Sequence, residues 1–412
     1  MYDKYYNTSL KGGYIMIIRE NYLTKIREFY HQDVIKVLMG VRRAGKSTLI
    51  HQIIMELKES KIADDHIYVI DFDLYENHIY TNTAKLTTYI ESLIGDDKKY
   101  YIFFDEIQNV IGWEKIINSF NLTQNVSIFV TGSNCDLVSS EYTSFINKYI
   151  SFNIYPLSFK EICSLKNITD SEDYFKFISE YLKWGGMPQL LELTNEHAKQ
   201  TCIIDIYNSI VVNDIVKRFN VKDIALLNRI VNYIFSNIAK PFAVNDMARY
   251  LDDYSRKVSL DTMYNYLEYI TKTSLVTKAE RYDLTSKRNI AGKYKYYLTD
   301  FSYVNIFRTT NDEKGLLENL IFNELVSRGY KVDLCNIGNK DIDFIATKDK
   351  KVLYFQVYPN LQDKKLKDKV FNDYKYINDN YPKYVISYDK EDLSKDGIIH
   401  INVLDFLLSQ SI

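Results

Sequence analysis

No stretch of this chain limits its possible folds more than GVRRAGKST, residues 40–48. Gly40 and Gly45 bracket a Gly-x-x-x-x-Gly-Lys-Ser spacing that ends in Lys46 and Ser47. An apolar run, VIKVLMG (34–40), leads into it, and a helical pattern from Thr48 to Leu57 follows. Between a strand and a helix, this spacing makes a phosphate cradle. Glycines let backbone N–H groups wrap a β-phosphate, and the helix N-terminus adds the positive end of its dipole. Lys46 neutralises β- and γ-oxygens, and Ser47 offers its hydroxyl to Mg²⁺. The expected nucleotide-binding residues are Gly40, Arg43, Ala44, Gly45, Lys46, Ser47 and Thr48, with ATP as ligand.

A second stretch, YYIFFDE (100–106), sets Asp105 and Glu106 at the end of an apolar strand. Asp105 suits Mg²⁺ held through water, and Glu106 suits a general base that polarises the attacking water. A third, VTGSN (130–134), places Asn134 after another apolar strand, where its amide would touch a γ-phosphate or that water. Ser-Asn is also ordinary turn and N-cap chemistry. The expected catalytic residues are therefore Lys46, Glu106 and Asn134, and the expected metal ligands Ser47 and Asp105. From 34 to 157, further apolar runs (66–74, 126–133, 148–157) alternate with helical patterns. That alternation predicts a parallel sheet with helices on both faces. The run 66–74 lies between the two acid and phosphate motifs in sequence. The phosphate strand and the Asp strand are then expected apart in the sheet with another strand between them, as in an additional-strand P-loop NTPase.

Composition narrows the rest. The chain has 412 residues, 46% hydrophobic and 26% charged, enough to bury a sizeable core. A net charge of −2 and a pI near 6.4 exclude a protein that coats nucleic acid along its whole surface and leave room only for a local patch. No apolar run approaches the roughly 18 residues of a membrane span, and MYDKYYNTSL has no signal-peptide core. The expectation is a cytoplasmic protein without membrane contact. Cys135, Cys163, Cys202 and Cys335 are far apart and read as reduced thiols. Residues 1–15 read as a loose polar extension.

Taken together, GVRRAGKST, FFDEIQNVIGWEKIINSF, VTGSN, YPLSFKEI, YLKWGGMP, VVNDIVKRF, KYYLTD, LLENLIFNELVSRGYKV, DIDFIA and YFQVY resemble bacterial and archaeal AAA-type ATP-binding proteins with a conserved C-terminal domain of unknown function. The resemblance runs over about residues 16–390 and implies that Met16 is near the usual start. Relatives commonly carry Gly-Arg where this chain has Asn147-Lys148. If that arginine is a finger, Lys148 keeps the charge without the planar fork. A finger contributes about 10³–10⁵ in rate, so slow hydrolysis is expected. Arg42, Arg43 and Arg218 are alternative cations, or structural ion-pair partners. AAA relatives often form rings, so an oligomer is an open expectation.

The expected organisation is an ATPase core at 16–157, a helical lid at 158–218, a winged helix at 219–310 and a small restriction-nuclease-like α/β domain at 311–412. The lid and the nuclease-like fold are implied by the resemblance. The winged helix is read from three helical patterns followed by a hairpin whose arms carry Arg281, Lys287, Arg288, Lys293 and Lys295 among tyrosines. Basic and aromatic residues over 281–296 suit a nucleic-acid backbone. In the last domain, Asp343 fills the strand acid of a nuclease, but Gln356 and Tyr358 stand where a second carboxylate and a lysine belong. Glutamine is a poor Mg²⁺ ligand and tyrosine no fixed cation, so this domain is expected to be inactive. Three functions compete: an ATPase acting on nucleic acid, a signalling or scaffold NTPase that binds a protein partner, and an ATP-regulated nuclease.

Overall fold

The computed structural model describes residues 17–121, 125–133, 149–252, 258–306, 312–338 and 340–409. The chain divides into two units, one formed by residues up to Tyr155 with Lys272–Ser274, the other by Pro156–Thr271 and Leu275 onward.

The first unit is a five-stranded parallel sheet. Its strands are β1 (Ile35–Met39), β2 (Ile67–Asp71), β3 (Tyr100–Asp105), β4 (Val126–Gly132) and β5 (Tyr149–Asn153), in the order β2-β3-β4-β1-β5. Among the described residues, four α-helices accompany them: α1 (Glu20–Arg27), α2 (Lys46–Glu59), α3 (Thr83–Leu93) and α4 (Trp113–Asn121). Side chains alternate across a strand. Val37, Ile102, Phe104 and Val130 therefore pack on one face with Leu86, Ile90 and Ile117. Leu38, Phe103 and Phe129 pack on the other with Leu49, Ile50 and Ile53. Both faces being covered, β1, β3 and β4 are buried at every residue, which is why they read as unbroken apolar runs. Each fully buried Leu, Ile or Phe contributes about 1.5–3 kcal/mol. The strand between the phosphate strand and the Asp strand is β4. The run at 66–74, which separates the motifs in sequence, forms β2 and pairs on the far side of β3.

The second unit begins with helices α5 (Phe159–Leu165), α6 (Ser171–Trp184) and α7 (Glu196–Ser209), the last continuing into a π-helical stretch, Ile210–Lys217. Next come α8 (Ile224–Ser236), α9 (Val244–Asp252) and α10 (Leu260–Lys272). Strands β6 (Val276–Asp283) and β7 (Arg288–Leu298) form the expected hairpin. It is not a free wing. β6 pairs in parallel with β8 (Lys331–Ile337), joining β9 (Lys340–Lys348), β10 (Lys351–Val357), β11 (Lys383–Ser387) and β12 (Ile399–Asn402) in one seven-stranded sheet. The boundary expected at 310 thus has strands of a single sheet on both sides. The reason is backbone accounting, since the inner edge of β6 needs partners and β8 supplies them. Helices α11 (Glu313–Ser327), α12 (Lys364–Asp373) and α13 (Val403–Leu408) complete the unit. Cys163 and Cys335 are buried thiols, and among the described residues no helix is long and apolar enough to cross a membrane.

Three motifs meet at one clamp in this unit. The Leu157 N–H donates to the Gly186 carbonyl at 2.8 Å, and the Gly186 N–H donates to Asp300 Oδ2 at 2.7 Å. Asp300 is buried and also accepts from the N–H and hydroxyl of Ser302. A Cβ at Gly186 would stand 1.9 Å from the Leu157 carbonyl oxygen. Gly186→Ala is therefore expected to destabilise this unit by roughly 3 kcal/mol, the upper range for an extra carbon forced into packed surroundings. A lowered denaturant midpoint at unchanged slope would show it.

Candidate active site

The loop between β1 and α2 turns on three positive-φ residues, Gly40 (153°), Arg43 (66°) and Gly45 (98°). At Gly40 a Cβ would lie 2.0 Å from the Ile154 carbonyl oxygen, so only glycine fits beside β5. Gly45 caps α2 in a left-handed conformation that glycine adopts without strain. Ala44 is fully buried, while Arg43 and Thr48 are exposed. Lys46 is 3% exposed. Its ammonium donates to the carbonyls of Gly40 (3.0 Å) and Val41 (3.3 Å) and lies 3.6 Å from Glu106 Oε1.

Across β4, strand β3 ends in Asp105, whose carboxylate accepts from the hydroxyls of Ser47 and Thr131. The Thr131 oxygen in turn accepts from the Glu106 N–H at 2.9 Å. Burial, with the Glu106 charge added, pushes Asp105 above the usual carboxylate range. Burial acts the same way on Glu106, but the Lys46 ammonium, the Gln108 amide and Arg42 outweigh it and hold that carboxyl low. Two neighbouring acids thus have opposite tendencies: Lys46 acts on both, but at Asp105 burial and the Glu106 charge outweigh it, whereas at Glu106 it is joined by Gln108 and Arg42. Ser47 and Asp105, already bonded to each other, are hard oxygen donors that fit Mg²⁺ when phosphate and water complete its shell.

The structure brings Lys46, Ser47, Asp105 and Glu106 into one cluster, buried except at Ser47, which is half-buried. Asn134 and Lys148 lie outside the described residues, as does the extension 1–15. Arg42 ion-pairs with Asp73, which also accepts from Asn109 Nδ2 at 3.0 Å. Arg218 belongs to the second unit, where its guanidinium lies 5.8 Å from the Phe219 ring centre. Sequence reasoning missed Thr131, Gln108, Asp73 and Asp71. Asp71 sits in register with Asp105 and is pushed up to about 6, by burial first and by Asp105 second. The signal for Asp71 was an acid inside the apolar 66–74 run, which gains meaning only once β2 is placed beside β3.

In the second unit, Asp343 accepts from the Val357 N–H at 2.8 Å and lies 3.6 Å from the Lys314 ammonium. Lys314 also sits 4.0 Å from the centre of the Tyr358 ring. Glu318 on α11 accepts from Lys295 and Tyr297, each at 2.6 Å. Gln356 donates to the Val370 carbonyl at 3.0 Å and points no carboxylate at Asp343. The acids here are matched to two lysines of the same unit, Lys295 and Lys314. Lys295 therefore leaves the expected basic surface of the hairpin, while Arg281 pairs with Asp341 at 3.3 Å; the Lys293 side chain lies outside the described ones. A cleft of about 510 Å³ opens beside the hairpin, with Phe242, Tyr264, Lys278, Arg281, Asn289 and Tyr294 among its walls.

Residues 32–163 match the family described as AAA domain, and residues 176–314 the one described as Domain of unknown function (DUF8612). An uncharacterized protein of Haemophilus influenzae is 35% identical over 405 residues, covering 95% of this chain and 99% of that protein. The chain belongs to this family. An uncharacterized protein of Methanocaldococcus jannaschii is 28% identical over 383 residues, covering 88% of this chain and 83% of its own length. Among solved structures, a Walker-type ATPase of Pyrococcus abyssi aligns with a TM-score of 0.49 at 14% identity, covering 71% of this chain and 96% of that one. The first unit of this family member is an AAA-type P-loop ATPase domain, and the cluster of Lys46, Ser47, Asp105 and Glu106 lies within the matched residues.

Proposed function

We propose that the protein is an Mg-ATP-dependent ATPase whose nucleotide state controls a winged-helix and nuclease-like module acting on nucleic acid. The meeting of Lys46, Ser47, Asp105 and Glu106 at the ends of β1 and β3 carries the ATPase part. Lys46 and the amides of Gly45–Thr48 bind the phosphates. Ser47 and Asp105 would hold Mg²⁺, and the ion when bound would supply positive charge against the phosphate oxygens. Glu106, kept ionised by Lys46, takes a proton from the attacking water. Lys46→Ala is expected to abolish binding of a fluorescent ATP analogue. Retained binding in that variant would remove the loop from the reading.

The cleft beside the hairpin supports nucleic acid as the partner: its tyrosines suit bases and Lys278 and Arg281 suit phosphate. The paired acids and lysines around Glu318 and Asp343 favour a module that binds over one that cuts. ATP turnover is expected to rise when single-stranded DNA, duplex DNA or RNA is added. If none of them changes turnover and ATP changes the mass of the particle in solution, the scaffold reading replaces this one.

A further inference from the structure

Gln108 holds a place in the site that its sequence position does not announce. Glu106 adopts a left-handed backbone conformation, φ 54° and ψ 48°, unusual for a residue with a side chain. A short 3₁₀ turn, Ile107–Asn109, follows it. Ile107 drops into the core with no exposure. The turn leaves Gln108 beside the end of β4, where its Nε2 donates to Glu106 Oε2 and to Ser133 Oγ, the latter at 3.3 Å. Charge fixes the orientation of the amide. An ionised carboxylate only accepts, so the nitrogen must face Glu106. The Gln108 carbonyl oxygen is consequently turned away, sealed from solvent and without a hydrogen-bond partner among the described residues. A buried acceptor left in that condition is costly and calls for a partner that arrives during function.

We infer that Gln108 orients the attacking water together with Glu106, its carbonyl oxygen accepting one O–H of the water while Glu106 accepts the other. This rests on the ATPase reading of the site. Lys46 lies 3.6 Å from Glu106, and its engagement by phosphate frees that carboxylate to accept from water. Two acceptors fix both O–H bonds, so a lone pair of the water oxygen points at the γ-phosphorus. The oxygen forms the new bond to phosphorus, and the bond from phosphorus to the β,γ-bridging oxygen breaks with its electron pair leaving on ADP. The proton on the Glu106 side passes to that carboxylate, and the one on Gln108 stays with the phosphate.

The test compares wild type, Glu106→Gln, Gln108→Ala and Gln108→Met. Methionine fills the same volume with no amide, so it restores a merely space-filling role and leaves a water-orienting one empty. Expected for both Gln108 variants is a fall in turnover of about 100-fold, as for misplaced reacting atoms. The dissociation constant of the fluorescent ATP analogue should stay within about twofold, and the thermal midpoint of Gln108→Met unchanged. Wild-type turnover in Gln108→Met overturns the inference, and so does a parallel loss of analogue binding. A wild type without ATPase activity, or a fully active Glu106→Gln, defeats the proposed function instead.

Discussion

Glu106→Gln should bind ATP and fail to turn it over, with a rate lower by about 10²–10⁴-fold, the ordinary contribution of a general base. The substitution keeps the shape of the side chain and removes its charge and its basicity. Binding is expected to stay equal or tighten. Glu106 lies 3.6 Å from the Lys46 ammonium and competes with phosphate for it. A neutral amide also repels the γ-phosphate less. The same change should relax Asp105, which is pushed up by burial and then by the Glu106 charge. A trapped ATP complex, seen as analogue bound without phosphate release in single-turnover experiments, is the expected outcome. Hydrolysis at the wild-type rate would remove Glu106 from its role and leave the cluster as a binding site only.

The second large effect concerns stability. Lys36 lies on β1 with no exposure, its ammonium donating to Gln32 O and Ser127 Oγ, each at 2.7 Å, and standing 4.8 Å from the centre of the Phe129 ring. Burial, with Lys99 a smaller cause, lowers its pKa to about 7. The unfolded chain keeps an ordinary lysine near 10.5. Between those values the unfolded state binds more protons than the folded one, so stability rises with pH. The rise from pH 7 to 9 amounts to about 2 kcal/mol from this group. Lys36→Met should erase that increment. Denaturant midpoints for wild type and variant at both pH values measure it as a difference of differences, in which other titrating groups cancel. An equal pH dependence in the two proteins would mean that the lysine remains charged inside the fold.

The phosphate loop and the Asp105-Glu106 pair were readable because their chemistry sits in consecutive residues with a fixed spacing. The parallel sheet was readable because two-sided burial leaves apolar runs in β1, β3 and β4. Thr131 was not, since its hydrogen bonds to Asp105 and Glu106 exist only because β4 lies next to β3. Gln108 depends on a left-handed turn at Glu106 that no spacing rule announces. In the second unit, the scarcity of nuclease ligands at Gln356 and Tyr358 was plain from residue type alone. The lysines that answer its acids were not, because Lys295 and Lys314 come from a strand and a helix that meet only in the folded chain. The junction of β6 with β8 joins segments about fifty residues apart, from Arg281 to Leu334, and such non-local pairing carries no local signature.

That junction has a mechanical meaning. A hairpin attached only by its ends can swing on its own. One stitched by backbone hydrogen bonds of β6 to β8, as the end of a seven-stranded sheet, cannot. Whatever grips Tyr294 in the cleft pulls on a stiff plate that reaches from β7 to β12, so a tug at one rim is felt at the other without any intervening chain having to bend.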